Sequence, residues 1–307
     1  MWIALGSCGR YVVIKMNETL GLIIKKHGIA EQFVNAKLMD KENRIFMSDN
    51  YVIKIYYPKK FQYYYNELEV YQKLFGKDYL PKLYQYGEEE SYKYIIISKL
   101  YGRSLFDCWD SYSYKDRINF IEQISRVLRD INNIKKTPID FKPILDAKFQ
   151  TAISGVNFSK EYKTFLKETY NYYVNYIQKQ ESGSLIHVDV HFYNFFVSNG
   201  KIFAYDFENT MIAPLDYQLL RWYRMWKYPE TFFYPKNSLN SIQKRTYEII
   251  MPSMLKFYPE LFSCSNFEER MKLYLLVYLL EEAKRCNLSE KKISEYISEN
   301  RRVRIRG

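Results

Sequence analysis

Hydrophobic and polar positions follow two rhythms along this chain, short in the first third and helical after it. Residues 43–47 and 51–57 are short runs rich in β-branched and aromatic side chains. Ser48-Asp49-Asn50 separates them, so they predict two strands joined by a turn. From Phe61 to Phe75 the apolar positions Tyr64, Leu68, Tyr71 and Phe75 recur at helical spacing and predict an amphipathic helix. Further strands are predicted at Lys82–Tyr86 and Tyr92–Ile97, and Gly102 marks a connector. Beyond it Ile121, Ile124, Leu128 and Ile131 form one helical stripe, and Phe165–Ile177 predicts another helix. Phe267–Arg285 is apolar nearly all round over its middle, as a core helix is. The pattern predicts an α+β chain with a small strand-rich lobe, a short hinge and a larger helical lobe, without internal repeats.

One hairpin interrupts the helical part. Phe195–Ser198 and Lys201–Tyr205 flank Asn199-Gly200, the strongest short hairpin signal. A two-residue turn pairs Ser198 with Lys201 and, counting back, Phe195 with Ala204. The residues just outside, Asn194 and Asp206, are thereby expected to arrive side by side.

Composition narrows the class. With 307 residues, 47% of them hydrophobic, the chain can bury a sizeable core and is not disordered. Its longest apolar stretch, Leu273–Leu280, is far short of the roughly 18 residues a membrane span needs. Leu5-Gly6-Ser7-Cys8 resembles a lipoprotein cleavage box, but no Lys or Arg precedes it and the apolar segment before it is only Trp2–Leu5, so export is not expected. Cys8, Cys108, Cys264 and Cys286 are scattered without metal-ligand spacing, as reduced thiols are, and a cytoplasmic protein is expected. The net charge of +11 raises the question of an anionic partner. The positive charge is spread along the chain, with one dense cluster at Arg301, Arg302, Arg304 and Arg306, and a solvated basic surface accounts for it. Nucleic acid is not otherwise indicated.

The chemistry gathers around the hairpin. Asn194 and Asp206 offer hard oxygens of the kind magnesium prefers while it also binds substrate phosphates. Asp189 lies five residues before Asn194, within His187-Val188-Asp189-Val190-His191-Phe192-Tyr193-Asn194. A carboxylate there can accept or orient a hydroxyl proton, which makes the three side chains a candidate phosphoryl-transfer site. A metal site of His187, Asp189 and His191 is the competing reading, but it leaves the spacing to Asn194 and the Asn-Gly hairpin unexplained.

His187-x-Asp189 with Asn194 five residues on resembles the catalytic loop of the protein-kinase fold, and Asp206-Phe207-Glu208 resembles its metal-binding segment with Glu in place of Gly. The Asp-Phe-Glu form and the His-x-Asp-x-His-x-x-Asn loop are more similar to the aminoglycoside phosphotransferase and choline kinase superfamily. The resemblance spans roughly Asn43 to Leu220 and implies a two-lobed protein-kinase-like fold: a nucleotide-binding lobe over residues 1–97, a hinge over 98–102, and a catalytic, acceptor-binding lobe over 103–307. It implies that Asp189 is the catalytic base or hydroxyl-orienting residue, that Asn194 and Asp206 hold Mg2+, and that His187 braces the loop.

Such a site also needs a strand lysine on the phosphates of ATP or GTP and a helix glutamate to hold it. Lys54 lies inside the otherwise apolar run Tyr51–Tyr56, and Glu67 falls on the apolar face of the following helix, whereas Glu69 lies on the polar one. A carboxylate on a buried face needs a partner, and pairing Lys54 with Glu67 resolves both anomalies. The backbone of Ser98 and Leu100, by the same resemblance, meets the nucleotide base. Pro214-Leu215-Asp216 resembles the family's D-P-x-x-D-L segment one position out of register, and Asp216 is also placed to cap the next helix. No glycine lies between Phe33 and Asn43, which argues against a eukaryotic-type protein kinase.

The expected reaction is transfer of the γ-phosphoryl group to a hydroxyl of a small molecule, the superfamily's acceptors including aminoglycosides, choline, thiamine and sugars. Arg221 and Arg224 lie in the expected acceptor region and favour a neutral or anionic acceptor. A catalytically inactive pseudokinase-like binding module is the rival from another class, and an atypical protein kinase the enzymatic one. The presence of Lys54, Glu67, Asp189, Asn194 and Asp206 together argues against the former.

Overall fold

The computed structural model describes residues 18–35, 44–229 and 241–300. The Leu5–Cys8 stretch, most of the glycine-free segment and the arginine-rich end lie outside the described residues. The chain forms two compact units. The first comprises the described residues up to Arg103 together with Phe196–Ser198 and Phe203–Asn209; the second comprises the rest.

The first unit is built on an antiparallel sheet of β1 (Val34–Asn35), β2 (Arg44–Met47), β3 (Tyr51–Tyr56), β4 (Leu83–Glu89) and β5 (Tyr92–Ser98), in the order β1-β2-β3-β5-β4. Side chains alternate across a strand, so Ile53 and Ile55 of β3 face one way and Lys54 and Tyr56 the other. Ile53 and Ile55 pack with Phe46, Tyr94 and Ile96 and with Leu20 and Ile23 of a helix over residues 18–26, α1. The hydrophobic pattern does not announce α1, whose buried face is only Thr19, Leu20 and Ile23. Helix α2 (Phe61–Lys73) buries Tyr64, Glu67, Leu68, Val70 and Tyr71. It closes at Leu74, so Phe75 is exposed and does not continue the apolar stripe.

Gly102 has φ 147°, and a Cβ there would stand 2.3 Å from the carbonyl oxygen of Val197. No other residue fits this approach without moving backbone.

After the two-residue strand β6 (Arg103–Ser104) the second unit is mainly helical. Among the described residues its helices are α3 (Leu105–Cys108), α4 (Tyr114–Ile134), α5 (Lys142–Gly155), α6 (Lys160–Tyr173), α7 (Leu219–Lys227), α8 (Ser241–Tyr247), α9 (Ile250–Phe257), α10 (Phe267–Cys286) and α11 (Glu290–Asn300). Helix α4 opens with a capping box between Ser113 and Asp116 and buries the stripe of Ile121, Ile124, Leu128 and Ile131. Helix α6 ends four residues before the expected Ile177, in a 3-10 turn. Helix α10 is buried continuously from Leu273 to Leu280. Among the described residues no helix is long and apolar enough to cross a membrane.

This unit also holds a second antiparallel sheet, β11-β8-β7, from β7 (Lys136–Ile139), β8 (Glu181–His187) and β11 (Thr210–Pro214). The hydrophobic pattern does not announce it. β7 contains a proline, and β8 starts with Glu181-Ser182-Gly183-Ser184, which neither alternates nor is β-branched. The sheet forms because its three strands meet from distant parts of the chain.

The Asn-Gly hairpin is present as β9 (Phe195–Ser198) and β10 (Lys201–Ala204). Asn199 has φ 49° and Gly200 φ 73°, the two left-handed residues that such a turn requires. The Gln123 side chain of α4 binds the tip: Nε2 donates to the Gly200 carbonyl (3.1 Å) and Oε1 accepts from the Ile202 N–H (2.9 Å). Replacing Gly200 with alanine is expected to cost about 1 kcal/mol, read by calorimetry as a fall in Tm of roughly 2–4 °C.

Asp216 does not cap α7. The cap position is Gln218, whose side chain makes no capping bond. Asp216 is instead buried against α10, where its two oxygens accept from Arg270 Nε (2.6 Å) and Nη2 (2.9 Å). Arg270 Nη2 also donates to Glu181 (2.7 Å) and to the Tyr274 hydroxyl (2.9 Å). A guanidinium buried this deeply needs such partners, and the carboxylates hold its pKa above the usual arginine value against the opposing effect of burial.

Candidate functional site

In the first unit the strand alternation that sends Lys54 away from Ile53 aims it at α2. Its Nζ donates to both oxygens of Glu67 and to Asp206 Oδ1, each at 2.9 Å. Glu67 is fully buried and receives a third bond, from the Tyr56 hydroxyl at 2.5 Å. Burial opposes a charge on Lys54, but the carboxylates of Asp206 and Glu67 outweigh it and hold the pKa well above the lysine norm. Lys54 is a fixed cation.

Asp206 follows β10 with φ 66°, a left-handed conformation uncommon for a residue with a Cβ. Phe207, next to it, meets the Tyr71 ring edge-on at 5.6 Å, and Asn66 of α2 donates to the Glu208 carbonyl at 2.9 Å. These contacts tie the segment just after Asp206 to α2. Carboxylate oxygens of Glu67, Asp206 and Glu208 all lie within 4.8 Å of one another. Glu67 is held by Lys54 and Tyr56, and Asp206 by Lys54. Ser98, at the end of β5, exchanges its N–H and hydroxyl with the backbone of Lys82 (2.9 Å each).

In the second unit β8 delivers the loop. His187, its last residue, is buried opposite Thr210 of β11, and its N–H donates to the Gln218 side chain at 3.2 Å. Gln218 is itself gripped by Asn132 of α4 at 3.0 Å. Asp189 sits in the turn after β8, and Asn194 folds back on it, donating from its amide nitrogen to the Asp189 carbonyl at 2.7 Å. The five-residue spacing is what allows this closure. Phe192 packs on Trp109 and Trp222 between them, fixing the loop from below.

Two side chains among the described residues flank the Asp189 carboxylate. Arg221 Nη2 of α7 lies 3.0 Å from Oδ1 and His191 Nε2 3.6 Å from the same oxygen. Burial by itself would raise the pKa of this group, but the approach of His191 and the charge of Arg221 bring it well below the usual 3.8. A depressed carboxyl pKa adds stability above about pH 4, and that stability is lost only as pH falls towards the lowered value. Asp189 is therefore ionised throughout the neutral range.

Lys54, Glu67 and Asp206 thus come together in one unit, and His187, Asp189 and Asn194 in the other. Tyr56 and Arg221 join them without having been singled out for these contacts. Tyr56 was within reach of the sequence, two residues from Lys54 on the same strand face; nothing in the sequence ties Arg221 to Asp189 across 32 positions.

No protein-family model matches this sequence, and no curated protein sequence does. Solved structures do match. Aminoglycoside phosphotransferase APH(2'')-Ib with ADP bound aligns over 93% of this chain and 96% of its own, at 14% identity and a TM-score of 0.63. This chain has the aminoglycoside phosphotransferase fold. A streptomycin–ATP complex of APH(2")-IIa aligns over 97% and 91% of the two chains, at 14% identity and a TM-score of 0.60. A thermostable APH(4)-Ia mutant with AMP-PNP and hygromycin B aligns over 91% and 95%, at 16% identity and a TM-score of 0.59. The likeness is one of fold.

Proposed function

We propose that the protein is a small-molecule kinase, moving the γ-phosphoryl group of ATP or GTP to a hydroxyl of its acceptor. The observation that carries this reading is the buried Lys54–Glu67 pair with Asp206 bound to the same ammonium. Burying a lysine and a glutamate together is costly, and fold stability alone is a poor reason to keep them. A fixed cation beside a carboxylate is what nucleotide phosphates and their metal require. The matching structures named above carry ADP, ATP or AMP-PNP, two of them with an aminoglycoside.

In this reading Lys54 holds the phosphates, with Glu67 and Tyr56 keeping its ammonium in place. The hard oxygens of Asp206 and Glu208 suit magnesium, with Asn194 as the further ligand that the sequence resemblance implies. When bound, that ion neutralises the phosphates. Asp189 orients the acceptor hydroxyl and takes its proton as the oxygen bonds to the γ-phosphorus. The bond from that phosphorus to the β,γ-bridging oxygen breaks, and the nucleoside diphosphate leaves with its electron pair. An ionised Asp189 with a low pKa is a better orienting group than a strong base, which suits a reaction limited by positioning and charge. His187 holds the loop through β8, and Leu100 with the Ser98 carbonyl borders the base.

A thermal-shift titration tests the nucleotide site. ATP or GTP with magnesium at about 100 times its dissociation constant should stabilise the protein by roughly 2.7 kcal/mol, a rise of several degrees. Asp206→Ala should abolish the magnesium-dependent part. Absence of a shift with either nucleotide would defeat the kinase reading in favour of a binding module.

A further inference from the structure

If the protein phosphorylates a hydroxyl at Asp189, the side chains of the second unit around that carboxylate bear on the charge of the acceptor. This deepens the kinase reading and rests on it. Oδ1 of Asp189, the atom closest to both neighbours, is occupied by Arg221 at 3.0 Å and approached by His191 at 3.6 Å. The other terminal nitrogen of Arg221 donates to the Tyr278 hydroxyl of α10, and the guanidinium carbon stands 4.6 Å from that ring's centre. Arg224, one turn along α7 and buried, stands 4.9 Å from the same centre.

Two carboxylates of α10, the helix that carries Tyr278, already face cations of the chain. Glu281 of α10 faces Lys148 of α5 at 3.3 Å, and Glu282 faces Arg285. Asp189, Glu281 and Glu282 each meet a cation of the protein's own. An acceptor made of ammonium groups finds no unanswered carboxylate among these three.

The Arg221–Asp189 pair is not sealed in the core. Their side chains retain 22% and 28% exposure, so a ligand can reach both. Arg221 does, however, occupy one oxygen of the carboxylate that is to meet the acceptor hydroxyl. Arg221 leaves that oxygen at least cost when another anion takes the aspartate's place beside it. A planar guanidinium is well made for this, because it binds a carboxylate or a phosphate through two parallel hydrogen bonds.

We propose that Arg221 is an acceptor-binding residue that takes a carboxylate or phosphate of the acceptor and thereby frees Asp189 Oδ1 for the acceptor's hydroxyl. The substrate class is a small hydroxylated anion, with hydroxyl and anionic group separated by a few bonds because Arg221 and Asp189 are in contact. Polycationic acceptors are disfavoured by the same arrangement. Tyr278 guides the exchange by keeping one edge of the guanidinium while the other changes partner.

Two measurements on the full chain test this. In the first, the Arg221 Nε–H resonance, identified by its loss in Arg221→Gln, is followed by NMR at constant ionic strength. Inorganic phosphate and acetate are titrated separately, which distinguishes a phosphate-binding from a carboxylate-binding site. A saturable shift with at least one of them is expected; linear drift with both, no greater than with chloride, overturns the proposal.

The second is phosphoryl transfer from Mg-ATP to glycerol 3-phosphate, glycerate, glycerol and kanamycin. The anionic compounds should be preferred, and Arg221→Gln should raise their KM about tenfold to hundredfold with a smaller change in kcat. Arg221→Lys should recover part of that loss, which a purely structural role would not predict. Efficient transfer to kanamycin or glycerol, indifferent to Arg221→Gln, overturns the proposal. Nucleotide stabilisation read on the same samples separates the two failures. Where nucleotide binds and the anion does not, the inference fails and the kinase reading stands. Where no nucleotide binds, the kinase reading fails and takes the acceptor assignment with it.

Discussion

Asp189→Asn is expected to lower phosphoryl transfer by about 10²- to 10⁴-fold, the range of a lost general base, while the magnesium-nucleotide thermal shift persists. The substitution is nearly isosteric. It keeps an oxygen that can accept from a hydroxyl but removes the charge faced by Arg221 and His191 and the capacity to take a proton. The loop is held independently of the carboxylate, since Asn194 donates to the Asp189 backbone and Phe192 is packed against two tryptophans. Loss of rate with the fold and nucleotide binding intact is therefore the signature to look for. Steady-state kinetics with an acceptor that the wild type uses, or the slow transfer to water, supplies the rate. Undiminished turnover would remove Asp189 from the site.

The largest effect on stability is expected at Arg270. Arg270→Met leaves Glu181 and Asp216 facing each other across the space of a lost cation, both of them nearly or fully buried. Removing one member of a buried charge cluster typically costs about 3–5 kcal/mol, which for a chain of this size lowers Tm by roughly 10 °C. The cause is the uncompensated carboxylates and not lost packing, and the triple variant Arg270→Met, Glu181→Leu, Asp216→Leu separates the two. Recovery of most of the Tm in the triple variant is the expected result. If the triple variant is no more stable than the single one, the penalty lies in packing.

These two sites differ in how far the chain announces them. The pairing of Lys54 with Glu67 was legible because each is an anomaly in a local pattern: a lysine in an apolar strand and a glutamate on a helix's apolar face. The Asn-Gly turn was legible because only a few residue types tolerate two successive left-handed conformations. Asp189 and Asn194 were legible through their spacing, which the structure uses to fold one back on the other. By contrast, the sheet β11-β8-β7 was missed, since its strands carry a proline, a glycine and short polar side chains and owe their form to distant partners. Asp216 read as a helix cap because that is the commonest local use of an aspartate there; a guanidinium 54 residues away claims it instead.

The sequence by itself determined the division into a strand-rich and a helical part, the hairpin and the identity of the candidate chemical groups. Period, turn chemistry and short spacings are properties of neighbouring residues, and steric and solvation rules act on them directly. Only the tertiary structure decided three other meetings: Arg221 on Asp189, Arg270 between Glu181 and Asp216, and the Tyr56 hydroxyl on Glu67. An ion pair between distant elements leaves no periodic trace in the chain, because any exposed lysine or arginine looks the same until packing removes water from around it.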